Sequence, residues 1–233
     1  MSLGIFVALP EELRSLSKTK IKQGECLALS DNIQVILAGT GAKNAKKATE
    51  KLLANGVKQI ISWGCAGALA PHLKSGDLII PKLIQTQSNN LISTDTSLHK
   101  NIVNALSSQT YFEGTLIESS LIIASAKEKL SLFNKSSAIA VDMESAAAAQ
   151  VCQKKNIPFI AIRTIVDPAN FNLPTAISHS MTSEGCVSLA KLILYLISHP
   201  SEIPSLIQLG KHFKAANKKL KQISPLLTQV AMS

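Results

Sequence analysis

Seven short runs along the chain are apolar at almost every position and end in turn residues: "LGIFVAL" (3–9), "IQVILAG" (33–39), "VKQIISWG" (57–64), "DLIIP" (77–81), "SLIIAS" (120–125), "SAIAVDM" (137–143) and "IPFIAIRTIVD" (157–167). Their length and β-branched content predict strands. Most lack polar alternation, which predicts strands covered by helices on both faces. Between several of them the pattern becomes helical, over 43–55, 97–107, 144–155 and 182–197. The alternation reads as α/β, mostly parallel in character.

In such sheets ligands bind beyond the carboxyl ends of the strands. The residues there are Glu11 and Glu12, Gly39 to Gly41, Gly64 to Gly67, Asp142 to Glu144, and Asp167, so carboxylates and glycines converge on one rim. "AGTGAKNAKKA" (38–48) is a glycine turn opening a helix and could offer backbone N–H groups to an anion, but it matches neither the dinucleotide fingerprint nor the P-loop. Tight strand-to-helix packing explains it equally well. Gly64 and Gly67 flank Cys65, where backbone can approach a ligand closely; no base can be named beside Cys65 to make it a nucleophile. Glu144 reads either as a helix-start carboxylate favoured by the macrodipole or as an acceptor for a sugar diol. Asp167 follows a buried run and precedes Pro168, a place where an acid can be kept protonated and used as a donor.

From residue 198 the chain changes character. Leu206, Leu209, Phe213, Ala216, Leu220 and Ile223 form a helical stripe with five lysines off it. A domain over 1–198 followed by a basic amphipathic helix over 199–233 is expected, the helix packed on the body or lying on a membrane surface or partner.

Composition narrows the classes. With 233 residues, 46% hydrophobic and 17% charged, one well-buried domain is expected. The net charge of +9 comes almost wholly from lysine, since Arg14 and Arg163 are the only arginines, and aromatics make up 4%. Nucleic-acid readers favour guanidinium forks and stacking platforms, so no nucleic-acid partner is expected. Cys26, Cys65, Cys152 and Cys186 show no metal-ligand spacing; reduced thiols and no metal are expected. "MSLGIFVALPEEL" is too short in its apolar stretch for a leader, and "LAKLILYLI" (189–197) is too short to span a bilayer, so a cytoplasmic protein is expected, in peripheral membrane contact at most.

The glycine turn, "GCAGALAP", "AVDMESAAAA" and "IAIRTIVDPAN", in this order after "ALPEEL", resemble the nucleoside phosphorylase and nucleosidase superfamily over about residues 3–197, especially 5'-methylthioadenosine/S-adenosylhomocysteine nucleosidases. "VDPANFNLP" and the lysine-rich tail are similar to its hopanoid-associated branch, thought to remove adenine from adenosylhopane. The resemblance implies a single α/β domain with a mixed, twisted, pseudo-barrel sheet flanked by helices, a homo-oligomer such as a dimer, and cleavage of the N-glycosidic bond of a 5'-substituted adenosine. It implies that Asp167 protonates or hydrogen-bonds N7 of adenine, Glu144 holds the ribose 2' and 3' hydroxyls, Met143 packs under the ribose, and Glu12 orients the attacking water. Asp142, Gly41, Cys65, Gly67 and Arg163 would complete the substrate site, Cys65 standing where nucleosidases carry Ser.

Hexameric phosphorylases place an Arg where this chain has Ser62; only Arg14 and Lys43 sit near the rim by motif position, and Arg163 lies inside a strand four residues before Asp167. That favours water over phosphate, which stays open as a co-substrate; no other cofactor is expected. The 5' group is expected to meet "IQTQSNNLISTDTSLHK" (84–100). An ordinary methylthioadenosine nucleosidase is the first alternative. A non-catalytic nucleoside binder is disfavoured because Glu12, Glu144 and Asp167 are all present.

Overall fold

Six of the seven apolar runs lie on strands of one sheet. The computed structural model describes residues 2–107, 109–180 and 189–232. Its strands are Leu3–Val7 (β1), Cys26–Ser30 (β2), Ile33–Leu37 (β3), Gln59–Ala68 (β4), Leu78–Ile79 (β5), Leu83–Gln85 (β6), Leu91–Ser93 (β7), Thr115–Glu118 (β8), Ala140–Asp142 (β9) and Phe159–Ile165 (β10). The helices are Pro10–Leu13 (α1), Ala42–Ala54 (α2), Thr96–Leu106 (α3), Ala126–Ser136 (α4), Ser145–Lys154 (α5), Thr175–Ser180 (α6), Leu189–Ser198 (α7), Ile203–Ile223 (α8) and Leu226–Met232 (α9). Residues 182–188 of the fourth expected helix lie outside the described residues, as does Cys186.

The sheet runs β2-β3-β1-β4-β9-β8-β6-β7, with β10 beside β4 and β5 beside β10. It is mixed: the β1, β3, β4 and β10 pairings are parallel, while β9 meets β4 antiparallel. Strand β4 changes neighbours along its length. Ile61 and Ser62 sit between Ile5 and Phe6 of β1 and Ile160 and Ala161 of β10, whereas Gly67 and Ala68 pair with Val141 and Ala140 of β9.

Successive side chains point to opposite faces, and both faces are buried. Phe6, Ile36 and Ile60 pack with Leu52 of α2 and Ala148 of α5, while Ile5, Val35, Ile61 and Trp63 pack on the other side with Leu220 of α8 and Val230 of α9. Trp63 is completely buried, and its indole N–H donates to Ser15 Oγ at 2.9 Å, so the one polar atom of the largest core side chain is satisfied.

Two segments differ from expectation. The run at 120–125 is not a strand: β8 precedes it, between β6 and β9, and the chain then leaves the sheet, exposing Leu121. Its apolar residues serve a cavity wall rather than a ladder. Helix α4, whose start is fixed by a capping box between Ser125 and Glu128, was not read from the sequence. The apolar stripe of α8 packs on the body: Ala216, Leu220 and Ile223 are buried, and the helix contacts β10, β4 and α1.

Candidate active site

The ends of β1, β4, β9 and β10 open into one cavity of about 330 Å³. Four carboxylates line it, Glu12, Asp142, Glu144 and Asp167, all less than a tenth exposed. Ionised carboxylates are rarely buried without partners. Each of these has a specific one.

Glu12 lies in the single turn of α1. Its Oε2 accepts from the backbone N–H of Ala8 (2.9 Å) and Leu9 (3.0 Å), and its Oε1 from that of Cys65 (2.8 Å). The carboxyl rests on the β4 backbone at Gly64, where a Cβ would overlap Glu12 and come 2.8 Å from Arg163 Nη1. Burial raises its pKa; the Arg163 charge and the backbone N–H groups oppose that.

Glu144 is the residue before α5. Its Oε1 accepts from Gly41 N–H at 2.7 Å and its Oε2 from Met143 N–H at 3.2 Å. Gly41 has φ of 90°, a backbone glycine adopts readily, so the glycine turn delivers its N–H to this carboxylate. Burial, then the neighbouring Asp142, pushes Glu144 up to about 7. Met143 also lines the cavity.

Asp142 accepts from Ser145 Oγ and from Arg163 Nε at 3.0 Å. Arg163 in turn reaches Ser62 Oγ and Ser145 Oγ, closing a buried network. Arg163 was expected to bind substrate, but it does not line the cavity: its guanidinium is directed at Asp142, Ser62 and Ser145 behind the wall. Arg14 and Lys43 do not line it either; Arg14 pairs with Glu11 at 3.7 Å. Gly41 contributes through its N–H rather than as lining.

Asp167 follows β10. Gly67 of β4 faces it so closely that a Cβ there would lie 3.2 Å from Oδ2. Burial raises its pKa, and Lys129 of α4, paired to Oδ2 at 2.5 Å, lowers it. Cys65 lines the cavity, but its thiol faces Thr164 Oγ1 at 3.7 Å, and burial followed by the Glu12 charge pushes the thiol far up. A thiol kept protonated is no nucleophile.

Apart from Thr40, the rest of the described lining is apolar. Leu121, Ile123, Leu173 and Ile177 come from two loops and α6, and Leu209 and Phe213 from α8. None of it comes from 84–100, which forms β6, β7 and the start of α3 instead. Sequence reasoning missed Lys129, Ser62 and Ser145. The last two are small polar residues within apolar runs, and an unexplained arginine inside a strand was the signal that they would be needed. Among the described residues no three His, Cys, Asp or Glu side chains gather to hold a metal ion.

An acid at one wall, a carboxylate able to accept from hydroxyls, and a third carboxylate nearby can oppose the two charges that develop when a glycosidic bond breaks. The chain is similar in sequence and in fold to known nucleosidases. A 5'-methylthioadenosine/S-adenosylhomocysteine nucleosidase of Buchnera aphidicola subsp. Baizongia pistaciae is 33% identical over 201 residues, 73% of this chain and 79% of that one. The nucleosidase of that name from Neisseria meningitidis, in complex with methylthio-immucillin-A, superposes with a TM-score of 0.72 at 18% identity, covering 98% of both chains. Futalosine hydrolase of Helicobacter pylori superposes with a TM-score of 0.71 at 20% identity, covering 98% of this chain and 96% of that one. Residues 2–198 match the phosphorylase superfamily, and with the strand-end carboxylates assembled as described, the chain belongs to that superfamily.

Proposed function

We propose that this protein hydrolyses the N-glycosidic bond of a 5'-substituted adenosine, releasing adenine. The observation that carries the reading is the cavity wall: four buried carboxylates and no Lys, Arg or His among the described lining residues. A phosphorolytic enzyme must gather a doubly charged anion, and no cationic side chain among the described lining residues is there to hold one. Water is therefore the nucleophile.

In the reaction, Asp167 gives a proton to N7 as the C1'–N9 bond breaks and its electron pair passes into the purine. Glu144 accepts from the ribose hydroxyls, and its negative charge faces the cationic ribose of the transition state, while that of Asp142 is paired with Arg163. Met143 packs against the sugar. Glu12 takes a proton from the water that attacks C1'.

The apolar lining supports an apolar 5' substituent. An adenosyl lipid, as in the hopanoid-associated branch, uses the whole wall formed by Leu121, Leu173, Ile177, Leu209 and Phe213, whereas a methylthio group uses part of it. Exposed Ile193, Leu194 and Ile197 on α7 and Ile203 and Ile207 on α8 support a further contact, with a membrane surface or a second copy in a homodimer. The methylthioadenosine nucleosidase reading stays as the second one, because a relative 33% identical and matched over 79% of its length carries that name.

Adenine release from methylthioadenosine and from a long-chain 5'-alkyl adenosine, each with and without phosphate, tests the proposal. Release from the alkyl compound without phosphate is the expected result; no release from either removes the reading. Asp167→Asn is expected to lower kcat by roughly 10²- to 10⁴-fold with its fold intact.

A further inference from the structure

Helix α4 is amphipathic, yet the residue it buries completely is a lysine. Lys129 Nζ donates to three acceptors, the carbonyls of Pro168 (3.0 Å) and Phe171 (2.9 Å) and Asp167 Oδ2 (2.5 Å). Three donors meet three oxygens, the condition under which an ammonium stays charged without water. The same segment is stitched to the loop after β10 twice more, by Ala126 N–H to Asn172 Oδ1 at 2.7 Å and by Leu173 N–H to Ala124 O at 2.8 Å.

We propose that Lys129 is the positioning residue for the acid of this site: it holds Asp167 Oδ2 from behind the cavity wall and supplies the positive charge against which Asp167 gives up its proton. The inference rests on the nucleosidase reading above. Lys129 does not line the cavity, so it acts through Asp167 and not on substrate. In the step, the proton passes from Asp167 to N7, the C1'–N9 pair enters the purine, and Asp167 becomes a carboxylate beside an ammonium that keeps all three of its protons. Burial alone would make Asp167 a weak acid; the lysine restores its strength. The other ionisable groups that act on Asp167 are His212 of α8, whose pKa burial lowers, and the Cys65 thiol of β4. Glu12, Asp142 and Glu144 share the cavity with it.

The test separates charge from scaffolding. Lys129→Gln keeps a donor for the loop carbonyls and loses the charge; Lys129→Met loses both; Lys129→Arg keeps the charge. With ¹³Cγ-labelled aspartate the chain has five signals, from Asp31, Asp77, Asp95, Asp142 and Asp167, and the one missing in Asp167→Asn reports the acid directly. Its titration is expected to move up by about one pH unit or more in the Gln and Met variants and to stay near wild type in the Arg variant. The basic limb of kcat/KM is expected to move with it, while kcat falls roughly 10²-fold. A Gln variant whose Asp167 signal and basic limb both match wild type overturns the inference, as does an Arg variant that behaves like Met. If Lys129→Met does not fold, the Gln and Arg variants carry the same comparison. A signal that moves while the limb stays overturns the role of Lys129 in the proton transfer; a signal that moves while no adenosine is cleaved at all supports the hold of Lys129 on Asp167 and overturns the nucleosidase reading instead.

Discussion

At Gly64 the β4 backbone and the Glu12 carboxyl come so close that no side chain fits between them. Gly64→Ala is expected to displace Glu12 from the N–H of Cys65 and to lower kcat by roughly 10²-fold, the cost of about 1 Å of misplacement; steady-state kinetics with a circular dichroism check of folding measures it. Glu144 gives a second residue-level prediction. Its pKa is raised from 4.5 to about 7, so between those values the folded state keeps a proton that the unfolded state has released, and stability falls as pH rises through that window. Glu144→Gln removes that dependence. The difference between the two thermal midpoints should shift in favour of the variant as pH rises from 4.5 to 7, measured by thermal unfolding across that range. The acids were legible in the sequence because each follows a recognisable strand. Lys129 was not: in "SAKEKLSLFNK" nothing distinguishes it from Lys127, and only the approach of the β10 loop to α4 makes it a buried partner.

The elements show the same division. Strands β1, β3, β4, β9 and β10 announce themselves because a strand covered on both faces must be apolar throughout. Strands β2 and β7 carry exposed positions at the sheet's two ends, and β6 is only three residues long beside β7, so their sequence resembles loop. The run at 120–125 misled for a physical reason: the cavity needs the same apolar residues that a buried strand would. Helix α8 shows two uses of one stripe. Its C-terminal part, Ala216, Leu220 and Ile223, is core, and its middle, Leu209 and Phe213, is cavity wall. Leu220→Ala should therefore cost about 2–5 kcal/mol by denaturant unfolding. Phe213→Ala should spare the fold and lower kcat/KM roughly 10- to 200-fold on a long-alkyl adenosine, with a smaller change on methylthioadenosine.

Across the whole molecule the net charge of +9 and the acidic cavity stand in opposition. The lysine-rich exterior says nothing about the chemistry inside, where Arg163 and Lys129, the lysine and arginine buried among the described residues, stand behind the wall and face Asp142 and Asp167. Added inorganic phosphate is accordingly expected to leave the rate of adenine release unchanged, and a phosphate-dependent rate measured by chromatography of both products would contradict hydrolysis. The class of the fold was readable from alternation alone, but the partner change along β4 was not, because nothing in ten consecutive residues marks where one set of neighbours gives way to another.

The superfamily match ends at residue 198, and Leu209 and Phe213 lie beyond it. The four carboxylates and part of the apolar cavity wall thus belong to different stretches of the chain. Substitutions beyond residue 198 can therefore reshape that wall, and with it the substituent the proposed enzyme accepts, without touching Glu12, Asp142, Glu144 or Asp167.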